Sequence, residues 1–235
     1  GRYGDAVFAG LGLGRAVPPL LQILGNNLYL TDVLYHVGAM ELNPKTQQAR
    51  AISLLQEKGM ARLSELREAG VTATTISRLL EKGEVVQLGR GLYQLPGAPI
   101  DIHHGLAEAA KLVPKGIICL TSALAYHGLT DTIPHSVWMA IGPKEWRPRV
   151  DGSRIVIVRF GPKVLDAGIE THLIENVPVR IYDAAKTVVD LFRYRRRVGQ
   201  RYQNSTGLNL ALEGLREALR QRKATPAKIA KYAAD

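Results

Sequence analysis

Two glycine-marked turns, Gly70-Val71-Thr72 and Gly89-Arg90-Gly91, constrain this chain most, because the first joins two runs of helical period and the second joins two runs of period two. Pro44 and Lys45 open a run with apolar residues at Ala49, Ile52, Leu54 and Leu55, the period of an amphipathic helix, which Gly59 ends. Residues 61–69 place Leu63, Leu66 and Ala69 on one face, and Gly70 then supplies a turn residue tolerant of positive φ. Val71 plugs that turn. Thr72 is the expected N-cap of a third helix over residues 73–82, with Ile76, Leu79 and Leu80 inward and Thr74, Thr75, Ser77 and Arg78 outward. After Gly83 the period falls to two. Glu84-Val85-Val86-Gln87-Leu88 and Leu92-Tyr93-Gln94-Leu95 flank the second turn as a hairpin that Pro96 closes.

Three helices with a short glycine turn between the second and third, then a hairpin, is the order of a winged helix-turn-helix, whose third helix enters the major groove. On that reading Thr74, Thr75, Ser77 and Arg78, with Thr72 at the cap, reach base edges and phosphates from the start of the third helix. Arg90 sits at the wing tip, facing a narrow minor groove or the phosphate backbone. A plainer alternative pairs Arg78 with Glu81 or Glu65 and leaves Arg90 to keep a glycine turn soluble. The module at 40–99 holds eight basic and six acidic side chains. So weak a positive field implies a dimer, or help from the rest of the chain, for strong binding to DNA.

The whole chain of 235 residues carries a formal charge of +10, which favours a polyanionic partner, nucleic acid first. Its single Cys119 excludes an internal disulfide and any cysteine zinc site, consistent with a reducing cytoplasm. No stretch is apolar for long enough to predict a membrane-spanning helix. Residues 1–39 hold only Arg2, Arg15, Asp5 and Asp32 as charged residues, and periodic, charged sequence begins just after Met40. We expect 1–39 to be a vector-derived or upstream-translated segment; the alternative is a native arm that packs or dimerises through Leu28, Leu30, Val33 and Leu34.

Residues 100–235 read as a mixed α/β region with a small central sheet, giving an α+β chain overall. A helix over 103–112 is followed by the apolar run Ile117-Ile118-Cys119-Leu120 and a short helix over 121–128. Residues 136–141, 154–160 and 177–181 read as strands; 183–198, 208–222 and 226–233 read as helices, the last with Thr225 as cap and Pro226 in its first turn. This region holds twenty-one basic and thirteen acidic residues. Its densest cluster, Arg193, Arg195, Arg196, Arg197 and Arg201, exceeds what a helix dipole favours at a C-terminus, and we read it as a basic surface for DNA, RNA or an acidic partner.

A search for catalytic groups is mostly negative. His103 and His104 are adjacent and point apart on a helix, and His127, His135 and His172 lack a Cys or carboxylate at ligand spacing, so neither metal nor cofactor is expected. Cys119 lies in an apolar run, as an inert buried thiol would. Glu170, Glu175 and Asp183 lack the Glu-x-Lys that would complete a nuclease trio.

Three stretches add a resemblance: the wing Gly89-Arg90-Gly91-Leu92-Tyr93, the helix Ser122-Ala123-Leu124-Ala125-Tyr126-His127-Gly128-Leu129, and the junction from Val177-Pro178-Val179-Arg180-Ile181-Tyr182-Asp183 to Lys186-Thr187 and Asp190-Leu191-Phe192. From Met40 onward the chain resembles the AbiEi family of antitoxins. Members of that family often carry Pro-x-Arg-Thr where this chain has Ala184-Ala185-Lys186-Thr187. The resemblance implies a winged helix that binds inverted repeats and represses its own promoter. It further implies a C-terminal domain that counters a nucleotidyltransferase-type toxin without a stable complex, as in type IV systems. Carried over by position, Thr74, Thr75, Ser77, Arg78 and Arg90 would fall in the DNA-reading helix and wing, and Lys186, Arg193 and Arg196 in the C-terminal basic surface. The expected protein is therefore a non-enzymatic DNA-binding repressor and antitoxin. The alternative is a lone winged-helix regulator or accessory protein whose basic C-terminal domain binds RNA or an acidic protein.

Overall fold

The computed structural model describes residues 46–147, 154–201 and 207–234, without the side chains of 197 and 199–201, so the segment 1–39 lies outside the described residues. Thr46 caps α1 (Gln47–Lys58) by accepting a hydrogen bond from Ala49 N at 3.1 Å. Ala51 and Leu55 are buried on its inner face. Gly59 ends the helix at φ +69°, a conformation that costs glycine little.

The expected second helix begins later than its apolar spacing suggests. Met60–Arg62 form strand β1, antiparallel to β3 (Leu92–Gln94) with Ala61 opposite Tyr93. Tertiary pairing has overridden local period here: Met60 and Ala61 are fully buried, and Leu63 N donates to Gly91 O at 2.8 Å. Helix α2 (Leu63–Glu68) then starts with the Glu65 carboxylate accepting from Arg62 N at 2.7 Å. The turn through Gly70 leads to α3 (Ala73–Glu81), whose inward Ile76 and Leu79 join Leu66 and Val71 in one cluster. Burial of each of these side chains contributes roughly 1.5–3 kcal/mol. Strand β2 (Val86–Gly89) completes a three-stranded sheet of order β1-β3-β2, with a register shift between Gln87 and Gly89 that twists the wing. The α1-β1-α2-α3-β2-β3 order is that of a winged helix-turn-helix.

The remaining elements build a mixed region around a second sheet. In order they are α4 (His104–Leu112), β4 (Ile117–Ile118), α5 (Leu120–Tyr126), β5 (Val137–Ile141), β6 (Ile155–Arg159), α6 (Pro162–Leu165), β7 (Ile169–Ile174), β8 (Val177–Tyr182), α7 (Ala184–Arg201), α8 (Gly207–Arg220) and α9 (Pro226–Ala234). The sheet order is β6-β5-β4-β8-β7; β4 runs parallel to β8 and antiparallel to β5, and β7 is antiparallel to β8. Alternation along the strands sends Ile118, Met139, Val179 and Ile181 to the α4 side, and Ile117, Trp138, Ala140 and Tyr182 to the side of α5, α7 and α8. The α4 side also takes in Met60 and Leu92, so the winged module packs the back of its own sheet onto the second one.

Strand β7 and helix α6 are absent from the sequence reading. β7 is an edge strand with Glu170, Thr171 and Leu173 exposed, so it lacks the apolar alternation of a half-buried strand. Its hairpin turns through Glu175 and Asn176, both at positive φ, and glutamate is not a residue that signals such a turn. That turn also touches the winged module. A Cβ on Gly59 would lie 2.0 Å from Glu175 O, so only glycine permits the approach.

Candidate nucleic-acid interface

Helix α3 is held at its start by a residue from α1. The Gln47 carboxamide oxygen accepts from Thr72 N at 3.0 Å, from the Thr72 hydroxyl at 2.9 Å and from the Thr75 hydroxyl at 2.7 Å, while Thr75 N donates to Thr72 Oγ1 at 3.3 Å. On the facing side of the turn Arg50 donates to Gly70 O at 3.1 Å. Thr72 and Thr75 therefore fix where and at what angle α3 begins, a positioning task distinct from the base contact expected of them. What faces solvent is a stripe at helical spacing: Thr74, Ser77, Arg78 and Glu81, all exposed.

Their chemistry is graded. Arg78 makes no ion pair among the described residues, because Glu65 is engaged by Lys58 at 3.2 Å and Lys111 at 3.0 Å, and Glu81 does not reach it. Its guanidinium is free to present a donor fork. Ser77 donates to Ala73 O at 3.2 Å and so offers outward only its lone pairs. Sequence spacing offers Glu81 only as a partner for Arg78; the structure places it exposed on the same stripe as Arg78. Arg90 is exposed at the tip of the β2–β3 hairpin.

The second expected surface is narrower than its sequence suggests. Lys186 is not on it: the side chain is 1% exposed, deep in the core. Its ammonium pairs with Asp190 one turn on and lies over the Phe160 and Tyr182 rings, 5.2 and 4.5 Å from their centroids. Tyr182, Phe160 and Tyr194 stack with interplanar angles of 6° and 7°. Asp183 N-terminal to the helix accepts from Lys186 N at 2.9 Å and from the Tyr232 hydroxyl at 2.8 Å, and pairs with Lys228 at 3.2 Å, which ties α9 to α7. The Tyr182 carbonyl accepts from Thr187 at 3.2 Å and from His127 Nε2 at 2.7 Å. Burial pushes the Lys186 ammonium below its ordinary pKa and the Asp190 carboxyl above its own; burial and the nearby Asp190 push the Cys119 thiol well up, as expected of an inert thiol.

Of the arginines on α7, Arg193, Arg195 and Arg196 are all exposed; Arg193 also pairs with the buried Asp190 at 3.7 Å and Arg195 donates to Phe192 O at 2.7 Å. The side chains of Arg197 and Arg201 lie outside the described residues. The three carboxylates considered for a nuclease centre have separate partners: Glu170 meets His172 at 3.4 Å, Glu175 meets His104 at 2.8 Å, and Asp183 is held as above. His172 thus has a carboxylate neighbour that sequence spacing did not suggest, two residues away on the same strand face. Among the described residues no cluster of three or more His, Cys, Asp or Glu is arranged to hold a metal ion, and no helix is long and apolar enough to cross a membrane.

A three-stranded wing, an anchored third helix and an outward stripe that includes an unpaired arginine define a winged helix-turn-helix protein. Residues 50–96, from α1 through the wing, match the family model described as "Transcriptional regulator, AbiEi antitoxin", so the resemblance read from the sequence holds over this module. No curated protein matches the chain. Among solved structures, the RV2827C protein from Mycobacterium tuberculosis matches at 16% identity and a TM-score of 0.44, covering 80% of this chain and 80% of that one. At that distance the likeness carries no argument.

Proposed function

We propose that this protein is a non-enzymatic transcriptional repressor that binds its own promoter through α3 and the wing, and an antitoxin that counters a nucleotidyltransferase-type toxin without forming a stable complex. One observation carries the DNA-binding part: the exposed stripe of Thr74, Ser77 and Arg78 on a helix whose start is locked by Gln47, with Arg90 on the neighbouring wing. A locked helix start matters because base readout requires donors held within a fraction of an ångström, and ordering them at the moment of binding would cost affinity. The match of residues 50–96 to an antitoxin regulator family supports the antitoxin part. The test is a gel shift on the DNA immediately upstream of the reading frame. A salt-sensitive, sequence-selective shift is expected, weakened about 5- to 150-fold by Arg78→Ala with loss of discrimination at one base position. Absence of a selective shift refutes the repressor. Co-expression of the chain with the product of an adjacent nucleotidyltransferase gene tests the antitoxin: growth is expected to be restored without co-purification of the two proteins.

A further inference from the structure

The β5–β6 loop displays an indole in a way its own fold does not require. Trp146 is 83% exposed, whereas the other tryptophan, Trp138, is 3% exposed in the core. The backbone beneath Trp146 is built with care. Glu145 N donates to Gly142 O at 3.3 Å, closing a turn around Pro143, and the Glu145 carboxylate folds back to accept from Gly142 N at 3.2 Å. A Cβ on Gly142 would sit 3.2 Å from Glu145 Cγ, so the bare backbone there makes room for the fold-back. From β6, Arg159 Nη1 is shared among three carbonyls of the loop, Gly142 O at 3.0 Å, Pro143 O at 2.8 Å and Glu145 O at 2.9 Å.

The charges around the indole are sorted by the same contacts. Among the described residues of the loop the one carboxylate, Glu145, is turned inward and lies 3.8 Å from the Lys115 ammonium. Lys144 and Arg147 are exposed on either side of Trp146 in sequence, with no partner among the described residues. The result is one flat aromatic face on a hydrogen-bonded turn, flanked by two exposed cations. Protein and lipid interfaces want a contiguous apolar patch, whereas the described residues next to Trp146 in sequence, Lys144, Glu145 and Arg147, are all charged. A single unpaired base wants one ring and nearby cations for its two phosphates. Duplex DNA keeps its base faces inside the stack, while RNA loops and ends expose them as a matter of course.

We propose that Trp146, with Lys144 and Arg147, is a stacking platform for an unpaired base of single-stranded RNA. This site is separate from α3 and the wing and does not depend on the repressor reading. The test uses the full chain and a fluorescein-labelled oligouridylate, which has no secondary structure of its own. Binding is expected by anisotropy, with partial quenching of tryptophan emission that Trp146→Phe abolishes while keeping most of the affinity. Trp146→Ala is expected to weaken binding about fivefold or more, with an unchanged melting curve and an unchanged shift of promoter DNA. Joint Lys144→Ala and Arg147→Ala is expected to flatten the log affinity against log salt slope by about 1.4, two phosphate contacts on a single strand. An affinity that Trp146→Ala leaves unaltered overturns the proposal, as does equal or tighter binding of oligodeoxyuridylate. Loss of self-association in Trp146→Ala, seen by sedimentation, overturns it in favour of a contact between copies.

Discussion

Removing the Asp190 carboxylate isolates the Lys186 ammonium in the core, and the size of the resulting loss can be bounded from the geometry. Both side chains are essentially inaccessible, at 2% and 0% exposure; the ammonium lies over the faces of Phe160 and Tyr182, and Arg193 sits 3.7 Å from the other Asp190 oxygen. Breaking a buried pair from one side typically costs about 3–5 kcal/mol, because the survivor is left charged in a poor solvent or must give up its proton. Against a total stability of about 5–15 kcal/mol, Asp190→Leu is expected to lower the urea midpoint by on the order of 1–2 M. Removal of both partners should behave differently. Burial drives Lys186 and Asp190 each toward its neutral form, so the cost of desolvating the two ions exceeds what their attraction returns. The double substitution Lys186→Met with Asp190→Leu is therefore expected to be within about 1 kcal/mol of the parent, or more stable. The assay is urea unfolding of the four proteins followed by circular dichroism, read as a double-mutant cycle with a coupling of at least about 3 kcal/mol. A double variant as unstable as the sum of the singles would falsify the reading of this pair as mutual neutralisation, and a single-site loss below about 1 kcal/mol would show that water reaches Lys186.

Three further outcomes test other joints. Glu65 meets burial, which raises its pKa, but the Arg62 amide and the Lys111 and Lys58 ammoniums outweigh it and hold the carboxyl below its ordinary value. Its contribution is thus present above about pH 4.5 and lost as pH falls through the lowered folded value; Glu65→Gln is expected to cost about 1–2 kcal/mol at neutral pH and almost nothing at pH near 3, by urea titration at each pH. Gly59→Ala must relieve a Cβ placed 2.0 Å from Glu175 O while holding φ +69°, so a loss well above 1 kcal/mol is expected in thermal melts, and a neutral result would mean that the β7–β8 turn moves freely away from α1. Burial holds His127 below the usual imidazole pKa, so the unfolded chain takes the proton first and stability falls as pH drops below about 6.5; His127→Gln, which keeps a donor for the Tyr182 carbonyl, should flatten that share of the pH dependence between about pH 7 and 5.

The winged module was legible because each of its turns has local chemistry. Thr72 caps, Gly70 and Gly91 take positive φ, and Ile76 and Leu79 repeat on one face, so residues close in sequence decide the structure. What fixes Thr72 and Thr75, by contrast, is Gln47, 25 and 28 residues away, and no local pattern announces that bond. Strand β1 was hidden for the same reason, since its partner β3 lies some thirty positions on.

Lys186 shows why a charge is the least reliable guide in a helix covered on all sides. From Ile181 to Leu191 every residue is buried, so α7 has no solvent face at its start and the period that separates inside from outside disappears. The resemblance carries Lys186 by position onto the C-terminal basic surface, where an unpaired lysine ordinarily sits, and its burial corrects that placement. The spacing did hold the correct answer: Lys186 and Asp190 are four apart, and a lysine with a carboxylate one turn on, in a run otherwise apolar, is the pattern of an internally neutralised pair. It follows that the junction from Tyr182-Asp183 through Lys186-Thr187 to Asp190 is a core device that anchors α7 to α9, α5 and the sheet, and that whatever α7 offers a partner begins beyond it, at Arg193, Arg195 and Arg196.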